Sequence, residues 1–331
     1  MSPVDKNSTE VSEFFIVGFP SLQHEYFHIM AWFFLIFYVT ILVGNLVLVV
    51  VFALERNLQK PMYITMVSLA LSDIGFTTVA LPKLIARYWW NDGSIGFHTC
   101  QFQRHMIHYF GSLNSMIMLT MAVDRYLAIC FPLRYPTLMT IQTMTVLTVF
   151  CWVTAHIFPG IGSINLARTS FCGPNQILQA FCDFTSLVSL VCEQQSYLYT
   201  VTYITAMVVL YVPLCFIVFS YICIVITVLH MVNGQGRRKT FSTCTTQVFI
   251  ISSYYIPRFV VYTAPYIPNF QTTVDGRMAT TFFYSFFPPL INPFVYCLRT
   301  KEIQEIFKRW IQKRKSNKSN PGRNVTVPEL H

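Results

Sequence analysis

Residues 27–54 read FHIMAWFFLIFYVTILVGNLVLVVVFAL, and no Asp, Glu, Lys or Arg interrupts them. A helix rises about 1.5 Å per residue, so about 20 apolar residues cross the roughly 30 Å hydrocarbon layer of a bilayer. This stretch is long enough. Inside lipid no water reaches the backbone N–H and C=O groups, which must bond within their own segment, and a helix is the form that satisfies them. The stretch therefore reads as a membrane-spanning helix.

Outward from it, comparable stretches recur at 61–86, 98–130, 142–166, 197–230, 241–268 and 273–298. The last is rich in Pro and Thr, yet it carries no charge between Arg277 and Arg299. Seven spans predict an all-α seven-transmembrane helix bundle. The composition agrees: 54% of the 331 residues are hydrophobic and 11% are charged, against about 25% charged in a soluble domain. Beyond Arg299, Ile303, Ile306, Phe307, Trp310 and Ile311 recur on one helical face and charges fill the other. That pattern predicts a short amphipathic C-terminal helix on the membrane surface. The expected organisation is an outward tail over 1–26, the bundle over 27–298, the surface helix over 299–312, and a polar, disordered tail over 313–331.

A net charge of +9 raises nucleic acid as a partner, but the basic residues sit in short loops and the tail between apolar blocks. That is membrane topology, with lipid and not nucleic acid around it. Sixteen of the 23 Lys and Arg fall on the side of the C-terminal tail and six on the other, with Arg258 left inside a span. The excess predicts a cytoplasmic C-terminus and an extracellular N-terminus in a multi-pass plasma-membrane protein. Residues 1–25 carry Asp5, Glu10, Glu13 and Glu25 and do not read as a cleavable signal peptide, so the first span serves as its own targeting signal. Cys100, Cys172, Cys182 and Cys192 all fall in outward segments, where disulfides form, and four cysteines allow three pairings. Asn7-Ser8-Thr9 is a glycosylation sequon on the same side.

Several motifs then resemble one family. They are Gly44-Asn45 in the first span, Leu58-Gln59-Lys60-Pro61-Met62-Tyr63 entering the second, and Leu69-Ala70-Leu71-Ser72-Asp73 within it. Met121 to Tyr135, with Asp124-Arg125-Tyr126 inside, closes the third span; Ser220-Tyr221, Lys239 to Cys244, and Pro289 to Tyr296 follow. In that order the motifs resemble the rhodopsin-like G-protein-coupled receptors and, within them, the odorant receptors. Tyr254-Tyr255-Ile256-Pro257 is similar to the Phe-Tyr-x-Pro of the fish-like class. Val123, Gln59 and Gln247 depart from the family's usual Tyr, His and His.

The resemblance implies a receptor, not an enzyme, which binds a small-molecule odorant and activates a stimulatory G protein; a non-olfactory chemosensory receptor is the neighbouring reading. It implies a switch in which Arg125 pairs with Asp124 at rest, with Tyr126 beside it, while Tyr221 and Tyr296 of Asn292-Pro293-Phe294-Val295-Tyr296 swing towards Arg125 on activation. It implies a polar core of Asn45, Asp73, Asn114 and Asn292 that admits a sodium ion or a water cluster, and disulfides Cys100–Cys182 and Cys172–Cys192. By the same analogy the ligand lies in the outer half of the bundle, among Arg104, His108, Gly111, Ser112, Thr202, Thr205, Arg258, Phe259 and Tyr262.

Two residue patterns stand apart from the resemblance. Arg258 is a cation in an otherwise uncharged run, and a buried cation needs a partner. Either it anchors an anionic or strongly polar ligand, with help from His108, or it pairs internally with Asp183 or Glu193, or it snorkels to the membrane surface. His24-Glu25-Tyr26-Phe27-His28 matches the zinc-protease pattern His-Glu-x-x-His, which would make the chain an intramembrane metalloprotease. No third ligand accompanies it, and the reading preferred is interfacial His and aromatic side chains with no metal. A channel or transporter would show internal repeats or broken helices, and the sequence has none.

Overall fold

The computed structural model describes residues 11–55, 60–172, 174–192, 195–231, 234–263, 273–299 and 301–319. Seven spans form one bundle: α1 (Phe27–Leu54), α2 (Pro61–Trp89), α3 (Phe97–Cys130), the pair α5 (Ile141–Thr154) and α6 (Ile157–Leu166), α8 (Gln195–Leu229), α9 (Gly234–Thr263) and α10 (Val274–Arg299). Short helices α4 (Tyr135–Leu138) and α7 (Phe184–Val188) lie in the connections, and α11 (Lys301–Ser319) follows the last span. Among the described residues, five spans are long and apolar enough to cross a membrane by length and composition alone. In α9 and α10 the apolar run is diluted by Arg, Lys, Ser, Thr and Pro, but both are of spanning length and pack within the bundle.

The bundle has a hydrophobic interior built on Phe34, Ile41, Leu48, Leu113 and Phe286, and it also turns apolar side chains outward. Ile29, Trp32, Phe33, Ile36 and Val43 of α1 are exposed, whereas the polar Asn45, Asp73 and Asn292 are buried. Hydrocarbon on the outer face and the few polar groups inside is the arrangement lipid demands.

Prolines lie inside four of the spans: Pro82, Pro213 and Pro257 in α2, α8 and α9, and Pro288, Pro289 and Pro293 in α10. A proline lacks the N–H that would bond to the carbonyl four residues back. Two of the carbonyls so released are taken by neighbouring helices. Asn45 Nδ2 donates to the Pro289 carbonyl at 3.0 Å, left by Pro293, and Ser115 Oγ donates to the Val209 carbonyl at 2.9 Å, left by Pro213. Gly44 allows the first of these bonds: a Cβ there would lie 3.3 Å from the Pro293 ring.

Three sequence expectations are corrected. The N-terminal segment is more than a tail. β1 (Glu13–Ile16) is the central strand of a three-stranded sheet, antiparallel to β2 (Ser94–Gly96) and parallel to β3 (Gln176–Ile177). Phe14 and Ile16 face inward, and Phe14 packs on Phe97 and Phe171. Gly18, at φ +74°, turns the chain so that the Phe19 N–H reaches the Tyr88 hydroxyl at 2.7 Å. Secondly, α9 begins at Gly234, ahead of the apolar run, because the charges of Arg237, Arg238 and Lys239 end the lipid-compatible stretch without ending the helix. Thirdly, α11 continues past 312 to Ser319; Lys313, Arg314 and Lys315 are good helix formers and do not stop it.

Candidate ligand site and signalling switch

At the end of the bundle that carries the sheet, Cys100 at the start of α3 is bonded to Cys182 of the long connection before α8, and Cys172 to Cys192 closes that connection on itself. The first bond pins the segment over the bundle. Beneath it Asp183 caps α7, accepting from the Thr185 N–H and hydroxyl, and its other oxygen lies 3.4 Å from His108 Nε2 on α3. Burial alone would raise the Asp183 carboxyl. The neighbouring His108 and the bonds from Thr185 and the Phe184 backbone outweigh it and hold the group below the ordinary carboxylate range.

Arg258 stands one position after Pro257 on α9 and is 9% exposed. Its guanidinium lies 3.7 Å from the centre of the Tyr254 ring and 5.3 Å from that of Tyr284, and Nη1 donates to the Tyr254 carbonyl at 3.0 Å. No carboxylate comes within 4 Å of it among the described residues. Tyr254 in turn donates its hydroxyl to the Gly111 carbonyl at 2.6 Å, and a side chain at Gly111 would meet nothing within 4 Å. A buried cation held by two aromatic rings, with no carboxylate within 4 Å among the described residues, suits a carboxylate, sulfate or other hydrogen-bond acceptor.

The other candidates divide. Ser112 spends its hydroxyl on the His108 carbonyl and Thr205 on that of Val201. Arg104 is turned away, towards the fourth span: it donates to Gln101 and Ser163 and lies over Phe184. Phe259 is 48% exposed on the outer face of α9, beside Tyr211. Helical periodicity accounts for Phe259, one position and about 100° round α9 from Arg258; Arg104 shares a face with His108 one turn on, and its bonds to Gln101 and Ser163 draw it to the fourth span. Asn7 lies outside the described residues, as do the side chains of Thr202, Glu193 and Tyr262. Tyr254 and Tyr284 were missed as partners of Arg258. Tyr254 was discoverable, being one turn before Arg258 on the same helix; Tyr284, on another helix, was not.

Midway through the bundle Asp73 is fully buried. It accepts from Asn114 Nδ2 at 3.2 Å and from Asn292 Nδ2 at 2.7 Å, joining α2, α3 and α10. Asn45 is bonded apart from this trio, to Ile41 and Pro289. The amide oxygens of Asn45, Asn114 and Asn292 are buried without a partner. The unpartnered Asn114 and Asn292 oxygens beside the Asp73 carboxylate fit a small cation or ordered water.

At the α11 end, Asp124 is 1% exposed and accepts from the Tyr135 hydroxyl of α4 at 2.9 Å. Arg125 Nε lies 4.0 Å from the second Asp124 oxygen, with no hydrogen bond between them. The aspartate is thus held by the loop tyrosine more closely than by its neighbouring arginine, a contact the motif reading did not contain. Tyr126 packs edge-on against Phe131. Tyr221 donates to Gln247 at 3.2 Å, bridging α8 and α9, and Tyr296 is 1% exposed with an unpartnered hydroxyl. Gln247 was noted in the sequence only as a departure; here it is the acceptor that closes α8 on α9.

The match to known proteins follows this layout. The family model described as olfactory receptor covers residues 34–314. The chain belongs to the olfactory receptor family. It is 33% identical over 311 residues to olfactory receptor 1E16 of Mus musculus, covering 94% of this chain and 98% of that one. It is 34% identical over 307 residues to olfactory receptor 6N1 of Homo sapiens, covering 93% and 97%. The crystal structure of squid rhodopsin superimposes with a TM-score of 0.70 at 16% identity, over 93% of each chain, so the receptor has the rhodopsin-like seven-helix fold. It is a receptor and not an enzyme. The zinc-protease pattern is also broken locally: His24 and Glu25 lie in a 3-10 turn and His28 in α1, with the His24 ring on Phe27. Among the described residues no group of three His, Cys, Asp or Glu is placed to hold a metal.

Proposed function

We propose that this chain is an odorant receptor of the plasma membrane, with its N-terminus and Asn7 sequon outside. It binds a small polar or anionic odorant beside Arg258 and activates a stimulatory G protein at the cytoplasmic α11 end. The observation that carries the ligand reading is the buried Arg258 guanidinium, stacked on Tyr254 and without a carboxylate within 4 Å among the described residues. The internal pairing with Asp183 is disfavoured, because that carboxylate is engaged by His108 and Thr185.

Signal transfer needs only differential affinity. An anion on Arg258 pulls on α9 next to Pro257, and α9 carries Gln247 to Tyr221 nearer its other end. A state in which α9 swings from α8 breaks that bond and frees Tyr221 and Tyr296 to approach Arg125. Asp73 with the Asn114 and Asn292 oxygens would hold a sodium ion. That ion would supply countercharge to the buried carboxylate and favour the closed bundle.

The test is a cAMP reporter in cells expressing the receptor, challenged with small carboxylic acids beside the corresponding alcohols and methyl esters. The expected result is a response to at least one acid, shifted rightward at least about tenfold by Arg258→Gln and abolished by Arg125→Ala. One charged hydrogen-bonded contact is worth about 1.5–3 kcal/mol, which sets that shift. Acid responses unmoved in Arg258→Gln overturn the anion site; responses intact in Arg125→Ala overturn the switch.

A further inference from the structure

The connection before α8 lies across the sheet-bearing end of the bundle like a roof. The Cys182 N–H donates to Gln103 Oε1 of α3 at 2.9 Å, and the next residue, Asp183, meets His108. β1 straps this roof down. On one side the Phe15 N–H donates to the Asn175 carbonyl at 2.6 Å and the Val17 N–H to that of Ile177 at 3.0 Å. On the other the Ile16 N–H donates to the Gly93 carbonyl at 2.8 Å, and the Phe97 N–H to that of Ser12 at 2.9 Å. The strand thus ties β3 of the roof to β2, which leads into α3. Arg87 of α2 is 8% exposed and has no carboxylate within 4 Å among the described residues. Its Nε donates to the Val17 carbonyl at 3.2 Å and its Nη1 to Asn91 Oδ1. Its guanidinium lies 5.2 Å from the centre of the Phe15 ring and 5.0 Å from that of Phe27. Val17 and Phe15 both belong to the strap, so the buried cation keeps its partners only while the strap is down.

We propose that β1 is the gate of the ligand site, that Arg87 is its latch, and that polar ligands enter from water while the strap is released. The proposal rests on the polar or anionic ligand argued above. Carrying a charge through hydrocarbon is costly, so passage between the lipid-facing helices is closed to such a ligand and the roofed end is its way in. A strand of four residues in a sheet of three short strands is the kind of small unit that opens locally ahead of packed helices. Its release from β2 and Arg87 frees β3 and the roof as far as Cys182, which stays bonded to Cys100.

The test places a reporter thiol under the roof with Gly111→Cys. Gly111 follows His108 by about one turn on α3, its carbonyl accepts from Tyr254 of α9, and a Cβ there meets nothing within 4 Å. The purified full-length receptor in nanodiscs is treated with 2-sulfonatoethyl methanethiosulfonate, a small anion that does not cross lipid. High salt screens surface charge, and the adduct on the introduced thiol is followed by peptide mass. Arg87→Gln should speed labelling about fivefold or more. Glu13→Cys with Gly96→Cys, once oxidised to a disulfide, should slow it by a similar factor, while either change alone leaves the rate as it was. Glu13 and Gly96 are register partners in a non-hydrogen-bonded pair, about 4.5 Å apart at Cα and within reach of a disulfide. A Cβ at Gly96 meets only Thr99 Oγ1, at 3.9 Å. Equal rates in the unlatched, locked and reporter-only receptors, or labelling in none of them, would overturn the gate. The rate ratios do not depend on whether Arg258 retains an anion, so the gate and the anion site fail separately. Hydrogen exchange of the unaltered receptor tests the same gate without a variant. The Phe15, Ile16 and Val17 amides should exchange together and ahead of the middle of α1, α2 and α3; exchange as slow as in those spans would equally overturn it.

Discussion

Tyr135 decides how Asp124 is held. Its hydroxyl donates to an aspartate that is 1% exposed, while Arg125 stays at 4.0 Å. Burial, and then the Asp124 charge, push the Tyr135 phenol up to about 12, so it remains a donor at every physiological pH. Tyr135→Phe removes the bond without changing the ring and leaves a buried carboxylate short of a partner, a loss of about 1–3 kcal/mol. We expect basal cAMP in cells expressing Tyr135→Phe to rise several-fold, as Arg125 loses a neighbour whose position restrains it. Unchanged basal signalling at equal surface expression would assign the resting restraint elsewhere. Asp183 gives a second prediction, with its sign fixed by linkage. A carboxyl held below its unfolded value of about 3.9 stabilises the fold above that value, and the contribution is lost as pH falls through the lower folded value. The thermal midpoint of the purified receptor should therefore owe no pH dependence to Asp183 between about pH 7 and 5. Below about pH 4 it should fall, and Asp183→Asn should flatten that acid limb while lowering the midpoint at neutral pH. An identical acid limb in the variant would contradict the assignment.

Between elements, contacts form where a proline has released a carbonyl and a neighbouring helix supplies the donor. Gly44 and Asn45 of α1 serve Pro293 and Pro289 of α10 in this way. Asn45→Leu preserves size and should cost about 1–3 kcal/mol by orphaning the Pro289 carbonyl, read as a lower midpoint in thermal unfolding; an unchanged midpoint would mean that water replaces the amide. The surface helix is fixed at Glu55, just past α1, which accepts from Trp310 Nε1 at 3.1 Å and lies 3.5 Å from Arg309. Losing a bond worth about 1 kcal/mol raises local opening roughly fivefold. Glu55→Ala, which removes the acceptor, should therefore speed hydrogen exchange across 301–310 by that order and leave α1 to α3 unchanged. The spans were readable in the sequence because lipid imposes long uncharged runs, and α11 because its apolar residues keep helical spacing. β1 was not readable: four residues became a strand only because β2 and β3, far away in sequence, complete it. The residues at Asp73 and Asp124 were legible by motif. Their partners Tyr135 and Gln247 were not, since such pairings depend on how helices rotate against one another.

At the scale of the whole molecule, the proposed ligand site near one face and the proposed switch near the other are joined by α3 and α9. Both span the bundle and carry a residue of interest at each level: His108 and Asp124 on α3, Arg258 and Gln247 on α9. Signalling across a membrane by such an arrangement requires the two faces to lie in different compartments, and the excess of Lys and Arg at the α11 end sets which is which. The direct measurement is antibody labelling of a receptor tagged at both termini. The N-terminal tag should stain on intact cells and the C-terminal tag only after permeabilisation. Staining of both tags, or of the C-terminal tag alone, on intact cells would contradict the account.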